Sequence, residues 1–92
     1  SGKIIPPFTL TGIPAKVMYS LQRFSIEQFQ IVQSSEDEII VNLVIDKNED
    51  MKDILKKKIK EEFESKLKGI NIYVREVDEI EKNKPVVISK LA

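Results

Sequence analysis

The side chain best placed for chemistry is that of Lys84, in the polar connection before the last apolar segment. Asn83 tolerates a left-handed turn almost as glycine does, and Pro85 fixes the direction in which the chain leaves. A lysine presented by such a turn can offer a point positive charge to a carboxylate and a phosphate together. A loop lysine is more often simply solvated, so the residue alone leaves both interpretations open.

The composition removes most other catalytic chemistry. The 92 residues contain no histidine and no cysteine, which excludes the usual general base, the commonest metal ligand, thiolate chemistry and disulfides. Asp46, Glu49, Asp50 and Asp53 could offer oxygen ligands, but they lack the spacing and the central glycine of an EF-hand. Acidic residues also favour helix N-termini because they complement the helix dipole. We therefore expect no metal or cofactor site in this chain.

The charge balance argues against nucleic-acid and membrane partners. Fifteen basic and fifteen acidic residues cancel, whereas nucleic-acid binders neutralise phosphates with excess positive charge. The lysines at 56–58 could form a basic patch. The pairs Glu62–Lys66 and Glu64–Lys68 instead have the i,i+4 spacing of a solvated helix face. No apolar run exceeds three residues, far short of the roughly 18 that span a bilayer. We expect a cytoplasmic protein.

Apolar periodicity organises residues 1–92 as one α+β domain. Ile and Val supply 22 of the 38 hydrophobic residues, which favours strands. The order of the predicted elements is that of a ferredoxin-like βαββαβ sandwich with a short extra C-terminal strand. In this fold two split βαβ units form one sheet, which two helices cover on one face. The elements are strand 3–5, helix 14–21, strand 26–33, strand 38–46, helix 51–67, strand 70–77 and the short strand 86–89.

The clearest local pattern is an antiparallel hairpin of strands 26–33 and 38–46, joined by a short polar turn. Asn48 or Asp50 can cap the second helix, and Gly69 occupies the position where a left-handed residue would end it. The apolar stripes of strands and helix are expected to bury one another. The expected core is Phe29, Ile31, Ile39, Val41, Leu43, Ile54, Leu55, Ile59, Phe63, Ile72 and Val74.

One face of the predicted sheet carries polar side chains. Gln28 and Gln30 share a face of their strand, with Gln33 close by, and Tyr73 and Arg75 could project from the same face. These residues could line a ligand pocket or a contact with another domain. A solvent-facing side of the sheet is the simpler interpretation.

Four short motifs occur in order along the chain. Gly2–Pro7 has the form G-[RK]-x-I-x-P, and residues 26–33 have the form I-x-Q-[FY]-Q-[IV]-[IV]-Q. Val77–Ile80 has the form V-x-x-I, and Val87–Leu91 has the form V-I-S-K-[LVI]. Together they resemble the small C-terminal domain of phenylacetate–CoA ligase-like enzymes. This group includes the coenzyme F-390 synthetases and capsule-associated homologues.

The resemblance implies a part of an adenylate-forming ligase. In such enzymes a large N-terminal adenylation domain of the same chain uses ATP and Mg²⁺ to activate a carboxylate. The small domain then rotates, and the thiol of CoA attacks the acyl-adenylate; in coenzyme F-390 synthetase a hydroxyl is adenylylated instead. The resemblance further implies that Lys84 is the catalytic lysine, placed over the reacting carboxylate and the α-phosphate. Residues 1–92 alone would then be inactive.

Three departures from the family pattern leave a second hypothesis open. The lysine loop is shorter than usual, Asn83 replaces the glycine before the lysine, and Pro85–Val86 stands where the family has an Arg or Lys. Lys82 could serve in place of Lys84. Alternatively, the chain is a non-catalytic ferredoxin-like regulatory or assembly module that binds a small effector.

Overall fold

Two helices and four strands make up residues 10–81 and 87–89, the part of the chain that the computed structural model describes. The bounds of these elements lie within two residues of the predicted ones. The predicted strand 3–5 lies outside the described residues. In chain order the elements are α1 (Ile13–Leu21), β1 (Ile26–Ser35), β2 (Glu38–Ile45), α2 (Lys52–Lys66), β3 (Asn71–Glu76) and β4 (Val87–Ser89).

The strands form one mixed sheet in the order β3-β2-β1-β4. Strands β1 and β2 are antiparallel, as the hairpin pattern predicts, whereas the β2–β3 and β1–β4 pairs are parallel. Both helices share one core with the sheet. The α+β class is therefore confirmed, the domain is consistent with a small ferredoxin-like fold, and β4 is the short extra strand. The βαβ unit of β2, α2 and β3 is not split, because β3 lies directly beside β2.

The register of the hairpin decides which side chains face the helices. Ile31 lies opposite Val41, and both are buried on the helix side. The pairing is irregular between Ile26 and Gln28, so that Ile26 lies opposite the buried Ile45. Residues two apart in a regular strand would share a face. This irregularity therefore turns Ile26 to the core and leaves Gln28 on the opposite face.

The core lies between the helices and the sheet, largely where the apolar stripes predict it. Of the eleven predicted core residues, eight are buried, and Phe29 and Val74 are partly buried against them. The list of predicted core residues named none from α1. The buried hydrophobic residues that it missed come from α1, the residues before it and the two strands of the hairpin; they are Leu10, Ile13, Val17, Ile26, Val32 and Ile45.

Ile54 is the one predicted core residue that the structure contradicts, because it is 40% exposed. Helix α2 turns a narrow stripe to the sheet, with Leu55, Ile59 and Phe63 at i,i+4 spacing and each 0% exposed. Ile54 lies one residue to the side of this stripe, about 100° around the helix from Leu55. The lysines of α2 lie outside this buried stripe, as predicted.

The N-terminus of α2 is capped differently from the prediction. The residue before the first helical turn is Met51, which has no side-chain cap, so neither Asn48 nor Asp50 plays that role. Instead, the Met51 N–H donates to Oε2 of Glu49 at 3.0 Å. At the other end, Gly69 has a φ of +81°, the left-handed conformation predicted just after this helix.

An ion pair joins the two helices across their solvent side. Lys16 Nζ lies 2.9 Å from Oε2 of Glu62, although the spacing along α2 suggests Lys66 as the partner. Within α2, Lys58 and Glu61 form an i,i+3 pair at 3.8 Å. No helix in the described part of the chain has the length and the apolar character needed to cross a bilayer.

Candidate functional site

The predicted catalytic residue, Lys84, lies outside the described residues, as do its neighbours in the connection. The described residues on either side of that connection contact the same strand. Ile80 donates its N–H to Oε1 of Gln28 at 3.3 Å, and Val87 pairs with Ile31. The connection that contains the lysine therefore leaves and rejoins the described fold at β1.

A row of hydrogen-bonded polar side chains crosses the sheet face opposite the helices. Gln30, Asn42 and Arg75 occupy paired positions on the three neighbouring strands β1, β2 and β3. Asn42 Nδ2 donates to Oε1 of Gln30 at 3.4 Å, and Arg75 Nε donates to Oδ1 of Asn42 at 3.0 Å. We call these three residues the polar row. Its geometry confirms that Gln30 and Arg75 share a face.

The polar row holds the guanidinium of Arg75 in a fixed direction. Asn42 is only 7% exposed, and both ends of its amide are engaged in the row, so it is a rigid acceptor. The row uses only Nε of Arg75, which leaves the donors on its two terminal nitrogens to other partners. Arg75 itself is exposed. A held, exposed guanidinium is suited to bind a carboxylate or a phosphate through two parallel hydrogen bonds.

The other polar residues singled out in the sequence are divided between the two faces. Tyr73 lies opposite Ile40 on the polar-row face, where the sequence allowed it to project, and is 50% exposed. Gln33 lies opposite the buried Ile39 and is only 5% exposed on the helix side. Gln33 is therefore part of the packed interior and does not belong to the polar row.

The acidic residues considered as metal ligands are used for structural contacts instead. The side chain of Glu49 is 4% exposed; it accepts hydrogen bonds from Ser25 Oγ at 2.6 Å and from Arg23 Nη1 at 3.0 Å. The Ser25 hydroxyl, followed by the Met51 N–H, holds the pKa of Glu49 below its ordinary value of 4.5, against the opposing effect of burial. Glu49 thereby links Ser25, just before β1, to Met51, just before α2, through hydrogen bonds. Within residues 10–81, no three acidic side chains gather closely enough to hold a metal ion.

A groove of about 620 Å³ lies beside β3 at the edge of the sheet. Its lining carries four basic side chains, those of Lys56, Lys57, Lys60 and Arg75, and one acidic side chain, that of Glu38. Apolar surface from β2 and β3 separates these charges. We call this feature the edge groove. It brings three lysines of α2 and the guanidinium of the polar row to one surface.

Sequence reasoning missed the edge groove because it treated the lysines of α2 only as a solvated helix face. Lys60 lies four residues after Lys56 and three after Lys57, so the three lysines fall on one side of the helix. That spacing was visible in the sequence. Their approach to Arg75 depends on the crossover from β2 through α2 to β3, which places α2 beside the edge strand.

Comparison with known proteins places the chain in a family. A scan against protein-family models matches residues 11–85 to the C-terminal domain of CapK. The matched range includes α1, the hairpin, α2, β3 and Lys84. Searches of the curated proteins and of the solved structures returned no match. A domain of this kind has an N-terminal region as its partner in the same polypeptide. Because the match extends over most of its length, the chain belongs to the CapK C-terminal domain family.

Proposed function

We propose that the chain is the small C-terminal domain of a cytoplasmic adenylate-forming ligase, of the phenylacetate–CoA ligase or coenzyme F-390 synthetase type. The observation that carries the proposal is the match of residues 11–85 to the C-terminal domain of CapK. Two of the four sequence motifs, at residues 26–33 and 77–80, lie within the matched range, as does Lys84. The absence of histidine and cysteine from the sequence also suits a domain that adds a single charge to a site built elsewhere.

In the proposed reaction, Lys84 acts on the adenylation step. An oxygen of the substrate, a carboxylate or a hydroxyl, bonds to the α-phosphorus of ATP while the bond to the leaving pyrophosphate breaks. Negative charge grows on the α-phosphate oxygens, and a lysine ammonium neutralises it. Where the substrate is a carboxylate, a second step follows: the thiol of CoA loses its proton, its sulfur bonds to the acyl carbon, and the bond from that carbon to AMP breaks. That step does not require the same charge.

The proposal assigns no site for ATP or Mg²⁺ to the described residues. They contain no cluster of acidic side chains that could hold the cation, and the sequence has no glycine-rich phosphate loop. The proposal therefore assigns ATP, Mg²⁺ and the nucleotide site to the N-terminal region of the polypeptide. It assigns to the polar row and to Tyr73 a contact with that region, because they present hydrogen-bond donors and aromatic surface away from the helices.

The test is Lys84→Ala in the full-length protein, with Lys82→Ala as a second variant that tests the alternative lysine in the same connection. Loss of a charge that acts in the transition state typically lowers the rate by on the order of 10²–10³. We expect that loss in pyrophosphate exchange for Lys84→Ala, and a far smaller change in thiol transfer from a supplied acyl-adenylate. Exchange within about twofold of wild type would show that Lys84 is not the catalytic lysine. Normal exchange in both variants would favour the non-catalytic module.

A further inference from the structure

The outer edge of β3 has backbone groups that none of the described strands pairs with. Strand β3 is the last strand of the sheet on its side, so its only strand neighbour among the described residues is β2. Asn71 and Val77 donate their N–H groups to β2 or to the turn before it, at 2.7 and 2.8 Å. In a parallel ladder alternate residues bond to the same neighbour. The N–H and C=O groups of Ile72 and Val74 therefore point away from β2, along the edge groove.

The edge groove is strongly basic in a chain whose net charge is zero. Its four basic side chains against one glutamate leave an excess of three positive charges. Arg75 is held in place by Asn42. Lys56 also lies 3.6 Å from the fully exposed Asp53, but an exposed pair of this kind contributes little and can be displaced by a better partner.

The positive charge of the edge groove favours some binding partners for the edge of β3 over others. A second copy of the chain would bring its own α2 lysines towards those of the first, and like charges across a pairing edge are unfavourable. An acidic segment would pair the free backbone groups and neutralise the lysines together. Its alternate side chains would lie on the two sides of β3, one towards α2 and the other towards Tyr73 and Arg75.

We propose that the edge groove binds an extended acidic peptide segment, which adds to the sheet as a strand next to β3. The segment forms backbone hydrogen bonds with Ile72 and Val74, and its carboxylates lie near Lys57, Lys60 and Arg75. Because β3 has six residues, or about 20 Å of strand, a segment of about the same length fills the edge. This mode of recognition is strand addition, in which backbone bonds supply affinity and side chains supply specificity. The inference does not depend on the proposed ligase activity.

The experiment uses the isotopically labelled 92-residue chain and the peptide acetyl-Thr-Glu-Glu-Val-Glu-Glu-Thr-amide, which carries glutamates on both sides of a strand. Binding should protect the amides of Ile72 and Val74 from hydrogen exchange. The amides of Tyr73 and Arg75 already face β2 and should change little. Two control peptides separate strand addition from simple charge attraction. One has proline in place of the central valine, which keeps the charge but breaks the pairing; the other has lysine in place of each glutamate. Neither should bind detectably.

Charge-reversed variants test the role of the lysines. We expect Lys57→Glu combined with Lys60→Glu to weaken peptide binding about tenfold or more. The control, Lys47→Glu combined with Lys68→Glu, changes the net charge equally at exposed positions outside the groove. It should bind within about twofold of wild type. If the groove variant does not fold, a salt titration of the wild-type chain replaces it, because shorter screening lengths must weaken an electrostatic complex.

Four results would overturn the proposal. The first is equal binding of the proline-containing peptide, and the second is the absence of protection at Ile72 and Val74. The third is equal weakening by the two charge-reversed variants, or binding that is independent of salt. The fourth is protection of the same two amides without peptide together with a concentration-dependent dimer in sedimentation, since a second copy would then occupy the edge.

Discussion

Truncation of two neighbouring residues tests how α2 faces the sheet. Leu55 and Ile54 have isomeric side chains, but Leu55 is 0% exposed and Ile54 is 40% exposed. Truncating a fully buried leucine to alanine costs about 2–5 kcal/mol, because the lost transfer energy and the new cavity add. Full burial of an isoleucine side chain contributes about 1.5–3 kcal/mol. Scaled by the covered fraction of Ile54, and reduced by alanine's better helix propensity, the cost of Ile54→Ala is about 1 kcal/mol.

Urea unfolding followed by far-ultraviolet circular dichroism measures the difference. The free energy of unfolding of Leu55→Ala should fall below that of Ile54→Ala by about 2 kcal/mol, which shifts the midpoint by roughly 1 M at typical slopes. The slopes themselves should match that of wild type, since neither change alters the area exposed on unfolding. Equal losses, or a larger loss for Ile54→Ala, would mean that α2 presents a different stripe to the sheet.

Three further predictions concern the contacts around the core. The lowered pKa of Glu49 means that its carboxylate stabilises the fold at pH values above the ordinary pKa of 4.5. This stabilisation is lost as the pH falls through the lowered pKa. In urea unfolding over that acidic range, the free energy of unfolding of Glu49→Gln should therefore fall by less than that of wild type. Asn42→Ala should lower the free energy of unfolding by about 1–2 kcal/mol. A double-mutant cycle with Arg75→Ala should show a coupling energy of about 0.5–1 kcal/mol; additive losses would mean that the two side chains do not stabilise each other. At a φ of +81°, Gly69→Ala should lower thermal stability by about 1–2 kcal/mol and Gly69→Asn by less, because asparagine tolerates this conformation.

The elements of the fold were predictable because their periodicities are strict. In β2 each residue from Ile39 to Ile45 alternates between a buried and a more exposed side chain, except at the largely buried Asn42. A one-residue slip would turn the whole apolar set to the wrong face, so the pattern specifies the register strongly. In contrast, Ile54 could be placed only after the rotation of α2 about its axis was known. The apolar stripe of α2 in the sequence is wider than the part that the sheet covers, and the sequence does not show which edge of the stripe stays exposed.

The candidate site was predictable only where strand alternation decides it. Gln30 and Arg75 were placed on one face by period-two counting, which needs no tertiary information. The link between them is Asn42, and its role depends on which strands are neighbours. The same is true of Glu49, whose partner Ser25 lies 24 residues away in the chain. Contacts between distant segments follow from topology, which a single sequence does not reveal.

The register of β3 fixes the positions of the polar row and the edge groove relative to the core. Ile72 is 3% exposed on the helix side, so strand alternation turns Tyr73 and Arg75 to the opposite face and brings Arg75 level with Asn42. The same register turns the amides of Ile72 and Val74 to the outer edge. A slip of one residue would bury the tyrosine, expose the isoleucine and separate the guanidinium from the polar row. Because Arg75 belongs to both the polar row and the edge groove, a partner that neutralises it at one surface removes its charge from the other.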